Sequence, residues 1–528
     1  MRPRRRAPAQ PSRYASVVRK TAWQWHSLAV FGAAPLLLSL VLIQRQGQAE
    51  LASQTAIATF ESLLSAECRS YIPVLDLRRV PRTESRLFAR GFPEDIRCPV
   101  HLLGVTAWTG AEELLRHWDW SRLRRAGPQA LVPYDVSDRK DITYWDNQTA
   151  LADHVRAQDP HAQGFVRATG PPARVIDAVR GSHRNARSTW TRMALPLADF
   201  STSLSMELAR AGDGTSPAGP LARIAPSAGV NVAVNLFVSS AGVTSTAHYD
   251  SFANTHVLLH GRKHIDLAPP RAIQAIGAYP ATHPRVRQLR RTLSKDGLYG
   301  VQQVELSSGE ALFIPPGWAH QVSAQEASAA ISLTHRAAEF RDFNDWITPG
   351  QPATKQLPFL ASLGTPTMDR LAAALIAYIP QLIHAVYADE TDASAATHAE
   401  PRHPLIDILS SYSRDGFDFH SMNDAGTLAG KWMVEPASWS RDCPKAIKAD
   451  ETAIRRAVDL TATRLRRYHA STRPVLLQLY LENAIAKVGE LSLRERGESG
   501  RSLTREAVAV SIVGVMLAFI QECLLPNT

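Results

Sequence analysis

The sequence predicts an α+β protein: a block of short antiparallel strands, preceded by a mixed α+β extension and followed by a helical region. Three observations predict it. Between residues 230 and 335 the runs "VNVAVNLFVSS", "THVLLHG", "KHIDLAPP", "EALFIPP" and "ASAAISLTH" are β-prone and separated by Gly, Pro or Ser, as in an antiparallel barrel or sandwich. Upstream, "SYIPVLDLRRV" (70–80) and "IRCPVHLLGVTAW" (96–108) have strand character, while "AEELLRHWDW" (111–120) has helical character. Downstream of about residue 340, the stretches 367–390, 450–472 and 503–525 carry helical periodicity.

The chain starts with a basic head. Eight basic residues and no acid precede Ala49, leaving 51 basic against 49 acidic residues in the rest, so the net charge of +10 is mostly terminal. A broad nucleic-acid-binding surface is therefore not expected. The uncharged run "SLAVFGAAPLLLSLVLI" (27–43) is close to the roughly 17–25 residues of a membrane helix. With the basic flank it reads first as a signal anchor of a single-pass secretory-pathway (ER or Golgi) protein, its catalytic part lumenal. A cleaved signal of a secreted protein and a mitochondrial transit peptide are the alternatives. On the lumenal reading Cys68 and Cys98 are candidates for a disulfide, and Asn147-Gln148-Thr149 is a glycosylation sequon. The four cysteines show no zinc-type spacing.

The expected units are the basic N-terminus and anchor or leader at 1–49, an extension at 65–210, a strand-rich core at 225–345 and a helical region at 355–528. "AGDGTSPAGPLARIAPSAG" (211–229) reads as the loop before the core. "HGRKH" (260–264) reads as a hairpin turn, and the insertion 271–300 as partly helical.

Chemistry concentrates in "TAHYDSFANTH" (246–256) and "GEALFIPPGWAHQV" (309–322). His248 and Asp250 share one side of an extended strand, where side chains alternate with period two. His320 follows a Pro-Pro-Gly turn about seventy residues later. Two histidines and one carboxylate form the facial triad of non-haem Fe(II) sites, leaving positions open for a bidentate co-substrate and dioxygen.

"TAHYDSFANTHVLLHGRKHIDLAPP" and "GEALFIPPGWAHQV" resemble the two signature blocks of the JmjC-domain (cupin-like) 2-oxoglutarate oxygenases, most nearly their small protein-hydroxylase branch. The resemblance covers about residues 70–340 and implies a double-stranded β-helix (jelly-roll or cupin) core. It implies Fe(II) at His248, Asp250 and His320, with 2-oxoglutarate and dioxygen as co-substrates. Lys263 then falls where the family binds the distal carboxylate of 2-oxoglutarate, with Thr246, or Ser245 beside it, supplying a hydroxyl. Asn254 matches a polar position lining the family's site, and Trp318 an aromatic with a packing role. In "ISLTHR" Thr334 and His335 stand where that branch often has an asparagine, and His335 is the candidate contact to the co-substrate. His256, His260 and His264 read as strand and turn residues, because the triad is already complete.

The resemblance implies hydroxylation of a protein or peptide side chain, with succinate and carbon dioxide released. Lysine demethylation by the same chemistry and a catalytically idle binding scaffold are the alternatives. The C-terminal helices are a candidate homodimer surface by analogy of fold.

Overall fold

The computed structural model describes residues 72–80, most of 96–347, part of 358–387, and 451–495. Its strands are β1 (Val74–Asp76), β2 (Val100–Leu103), β3 (Val132–Ser137), β4 (Asp141–Ile142), β5 (Val166–Gly170), β6 (Trp190–Pro196) and β7 (Ala233–Ser239). They continue with β8 (Thr244–Tyr249), β9 (Ala253–His260), β10 (Arg262–Ala268), β11 (Gln302–Ser307), β12 (Ala311–Ile314), β13 (Ala319–Ala324) and β14 (Ser328–His335). Two sheets form, ordered β1-β2-β12-β9-β14-β7-β6-β3-β5 and β11-β10-β13-β8-β4. From β7 to β10 and again from β12 to β14, successive strands alternate between the sheets, which is how a jelly-roll winds. The core is this α+β jelly-roll.

The alternation in sequence explains the layers. Along β7, Val234, Leu236 and Val238 join the core on the outer face of the large sheet, while Phe237 packs against the interior between the sheets. The interior has an apolar floor of Leu258, Ile265, Leu267, Leu306, Leu312, Ile314 and Trp318. Each such aliphatic side chain, when fully buried, contributes about 1.5–3 kcal/mol. The outer face of the small sheet, with Ala247, Tyr249 and Ala319, packs against the helical region.

Four helices bear on the site: α1 (Pro270–Ile276), α2 (Ala338–Ile347), α3 (Glu451–Arg466) and α4 (Arg473–Glu495). Tyr378, Tyr480 of α4 and Thr461 of α3 join through buried hydroxyls, Tyr378 donating to Thr461 at 2.6 Å. Tyr480 and Leu481 of α4 belong to the same core as Tyr249, so the helices back the strand that carries His248. α4 has no counterpart among the sequence-predicted elements. The predicted helix at 503–525 lies outside the described residues.

Several expectations change. "HGRKH" is not a hairpin: β9 and β10 lie in different sheets, and Gly261 turns the chain from one to the other with φ +82°. "SYIPVLDLRRV" gives only the short β1 and a 3-10 turn, and "IRCPVHLLGVTAW" becomes a helix after β2 because Gly104 turns with φ +67°. The strands of the N-terminal extension join the sheets of the core, β4 the small sheet and the others the large one. No helix among the described residues is long and apolar enough to cross a membrane, which overturns the expected single-pass membrane protein. The run 27–43 lies outside the described residues. Cys98 is disulfide-bonded; its partner, like Cys68, lies outside them. Asn147 is exposed in a turn and accepts a hydrogen bond from Arg156 at 2.8 Å.

A Cβ at Gly261 would meet the Ala327 carbonyl oxygen at 2.5 Å and Ser328 at 3.1 Å, all at a positive φ. A left-handed backbone costs an L-residue about 1–2 kcal/mol, and here the obstacle is backbone. Gly261→Ala should therefore lower the melting temperature by several degrees in a thermal scan; an unchanged midpoint would show that this corner is not rigid.

Candidate metal centre and co-substrate pocket

The three predicted ligands meet. His248 is the penultimate residue of β8, Asp250 follows the strand, and His320 is the second residue of β13, directly opposite His248 in register. Their ligand atoms lie within 4.8 Å of one another, and they form the one such cluster found among the described residues. Two local devices hold them. The Pro315–Trp318 turn closes with Trp318 N donating to the Pro315 carbonyl, and Gly317 takes φ +80°, as the third residue of a type II turn requires. Gly317 N then donates to the Asp250 carbonyl at 2.8 Å, tying this turn to the other ligand segment.

The imidazoles are oriented by their own strands. His248 Nδ1 donates to the Thr246 carbonyl at 2.8 Å and His320 Nδ1 to the Trp318 carbonyl at 3.0 Å. Because a carbonyl oxygen can only accept, both rings hold their proton at Nδ1 and leave Nε2 free. His320 Nε2 faces Asp250 Oδ2 at 3.7 Å. Burial, and then the charge of His320, push the His248 pKa down to about 4, so it is neutral and able to ligate near pH 7. Two imidazole nitrogens and a carboxylate oxygen with second-shell carbonyls behind them fit an Fe(II)-type facial site.

The register decides the hydroxyl that the sequence left open. His320 pairs with His248 but Val322 pairs with Ser245, so β8 spends one more residue than β13 and bulges. Val322 packs against the interior, and Ser245, its partner, therefore shares the pocket face. The Thr246 hydroxyl instead donates to Gln288 Oε1 at 3.0 Å, toward the insertion. Ser245 thus lies on the pocket face, while the Thr246 hydroxyl is taken up by Gln288 and its carbonyl by His248.

On β14 the period of two corrects another expectation. Asn254 accepts a hydrogen bond from the Ser332 hydroxyl, and Asn235 donates to Thr334 at 3.4 Å, so residues 332 and 334 face the interior. His335 has the parity of Ile331 and Leu333, which belong to the outer core, and is opposite Ala253 of that core. By that parity it lies on the outer-core side of β14. Trp318 is buried against the apolar floor and donates Nε1 to the Arg97 carbonyl at 2.8 Å, in keeping with packing.

Lys263 is 3% exposed, and burial pushes its pKa down to about 7. No carboxylate pairs with it among the described residues. Its hydrogen-bond partner is His256 Nε2, 3.1 Å away, on the facing sheet. His256 is itself buried, against Phe237. Burial, then Lys263, then His320 hold its imidazole well below its ordinary pKa, hence neutral.

Two features escaped sequence reasoning. Arg192 on β6 reaches Ser245 Oγ at 3.5 Å while paired with Asp135 at 3.1 Å. No sequence signal links residues so far apart. The second is the insertion, which among its described residues is helical over α1. Beyond it, residues 287–289 run antiparallel to the ligand strand: Tyr249 N donates to the Arg287 carbonyl at 3.1 Å and Leu289 N to the Ala247 carbonyl at 2.7 Å. Arg287 takes φ 64°, a left-handed conformation found at no other non-glycine residue described.

Residues 113–338 match the family described as Cupin-like domain, a span that includes every site residue named above. The chain is 32% identical over 110 residues to the lysine-specific demethylase JMJ31 of Arabidopsis thaliana, covering 19% of this chain and 20% of that protein. It thus spans about a fifth of that relative's length. Among solved structures, ycfD of E. coli is similar at 14% identity, covering 43% of this chain and 47% of that one with a TM-score of 0.25. Residues 113–338 thus match a cupin-like domain, in keeping with the α+β jelly-roll they build.

Proposed function

We propose that this protein is an Fe(II)- and 2-oxoglutarate-dependent oxygenase that hydroxylates a protein side chain. The observation that carries the reading is the pairing of the His248–Asp250–His320 cluster with Lys263, a buried cation with no anionic partner among the described residues. A buried ion without a counter-charge costs several kcal/mol, and the distal carboxylate of a 2-oxo dicarboxylate would supply it. Bound iron would supply oxygen activation coupled to oxidative decarboxylation of the co-substrate. The protein's own part is to hold three ligands on one face, orient both imidazoles, and anchor the co-substrate from Lys263 and Ser245.

Turnover tests this directly. The purified full-length chain, given Fe(II), ascorbate and 2-oxoglutarate, should release succinate, and a chelator should stop it. Metal-dependent succinate release that never rises above a metal-only control would sink the reading. The name of the Arabidopsis relative favours lysine demethylation as a second reading. Both reactions begin by placing a hydroxyl on carbon. A peptide that keeps one added oxygen supports hydroxylation, whereas formaldehyde and a lost methyl group support demethylation.

A further inference from the structure

We infer that His256 is a positioning residue for the co-substrate: its imidazole aims the Lys263 ammonium at the distal carboxylate, making the anchor a Lys–His pair. The inference rests on the 2-oxoglutarate reading above.

The geometry is specific to these two residues. β9 and β10 lie in opposite sheets, joined by the corner at Gly261, so His256 and Lys263 face one another across the interior rather than along a strand pair. While Lys263 is an ammonium it has three donors and no acceptor, so His256 Nε2 then accepts and carries its proton on Nδ1. That contact uses one of the three N–H groups of Lys263 and leaves two for a carboxylate. A lysine side chain loses roughly 1.5–2 kcal/mol of rotamer freedom when fixed. Here part of that loss is met before the ligand arrives, and preorganisation of this kind strengthens binding without any new contact to the ligand.

His256 is in turn held in place. Its ring meets Phe237 in a T-shaped contact, with centroids 5.8 Å apart and planes at 71°. In register it lies between Leu312 of β12 and Ser332 of β14. No carboxylate forms an ion pair with either member of the pair among the described residues. The buried imidazole therefore has a use that packing alone does not explain, since an aliphatic side chain would fill the same place without a polar atom.

The test uses the full-length protein loaded with Mn(II), which holds the site without turnover, and measures affinity by calorimetry. His256→Leu should weaken 2-oxoglutarate about ten-fold and leave pyruvate, which lacks the distal carboxylate, unchanged. His256→Gln, whose amide oxygen can accept from Lys263, should restore most of the 2-oxoglutarate affinity. Metal stoichiometry and melting temperature should stay at wild-type values in both. Equal 2-oxoglutarate affinity in His256→Leu and wild type would overturn the inference, and so would an equal loss for pyruvate. The broader reading fails differently: there, wild type itself shows no preference for 2-oxoglutarate over pyruvate and Lys263→Met changes nothing.

Discussion

Asp250→Ala should abolish stoichiometric metal binding and, with it, succinate release. Asp250 supplies the only anionic donor of the cluster, and its carboxylate faces His320 Nε2 at 3.7 Å. Losing an outer-shell partner typically costs 10–100-fold in metal affinity, and removing a ligand should cost more than that. Two imidazoles would remain, too few to fix a divalent cation against competition from buffer and water. The fold should survive, because the backbone carbonyl that accepts from Gly317 N is retained in Ala. Metal content by mass spectrometry, beside a thermal scan, checks both halves. Full iron occupancy in the variant would remove Asp250 from the site. Asp250→Glu is the informative companion, since it keeps the charge and moves it by one methylene.

How much of this site the sequence revealed depends on how local each feature is. The triad was legible because two ligands sit two residues apart and the third follows a Pro-Pro-Gly turn that announces itself. Lys263 was legible through the signature block. Ser245 and Thr246 could not be separated, because a bulge between β8 and β13 sets which one faces inward, and a bulge depends on the partner strand. The face of His335 was not legible for the same reason: it follows from parity with Ile331 and Leu333, which only the register fixes. His256 was set aside as an ordinary strand residue, since its partner comes from the opposite sheet. The supposed hairpin at "HGRKH" shows the limit most simply. A glycine turn between two β-prone runs looks alike whether the chain reverses within one sheet or crosses to another, and crossing is what brings Lys263 to His256.

Binding of 2-oxoglutarate should weaken as pH rises through about 7, the value to which burial lowers the Lys263 pKa in the empty pocket. The direction follows from linkage. A carboxylate beside Lys263 favours the ammonium, so the bound state has the higher pKa and binding takes up a proton wherever the empty pocket has lost one. Below pH 7 the ammonium is already present and affinity should be flat. Above it, affinity should fall by up to about ten-fold per pH unit until the bound-state pKa is reached. His248 does not confuse the profile, since its pKa of about 4 keeps it neutral throughout this window. The same depressed pKa makes the empty protein bind fewer protons than its unfolded chain between about pH 7 and 10.5, so its stability should rise with pH there. Lys263→Met should remove both slopes. It should also lower affinity at pH 6.5 by about ten-fold or more, as expected for loss of a charge-assisted hydrogen bond worth roughly 1.5–3 kcal/mol. Calorimetry on the Mn(II)-loaded protein, in buffers of different ionisation enthalpy, reads the proton uptake as well as the affinity. A wild-type affinity that stays constant from about pH 6.5 to 8.5, with no proton taken up, would mean that Lys263 is not where the co-substrate's charge is met.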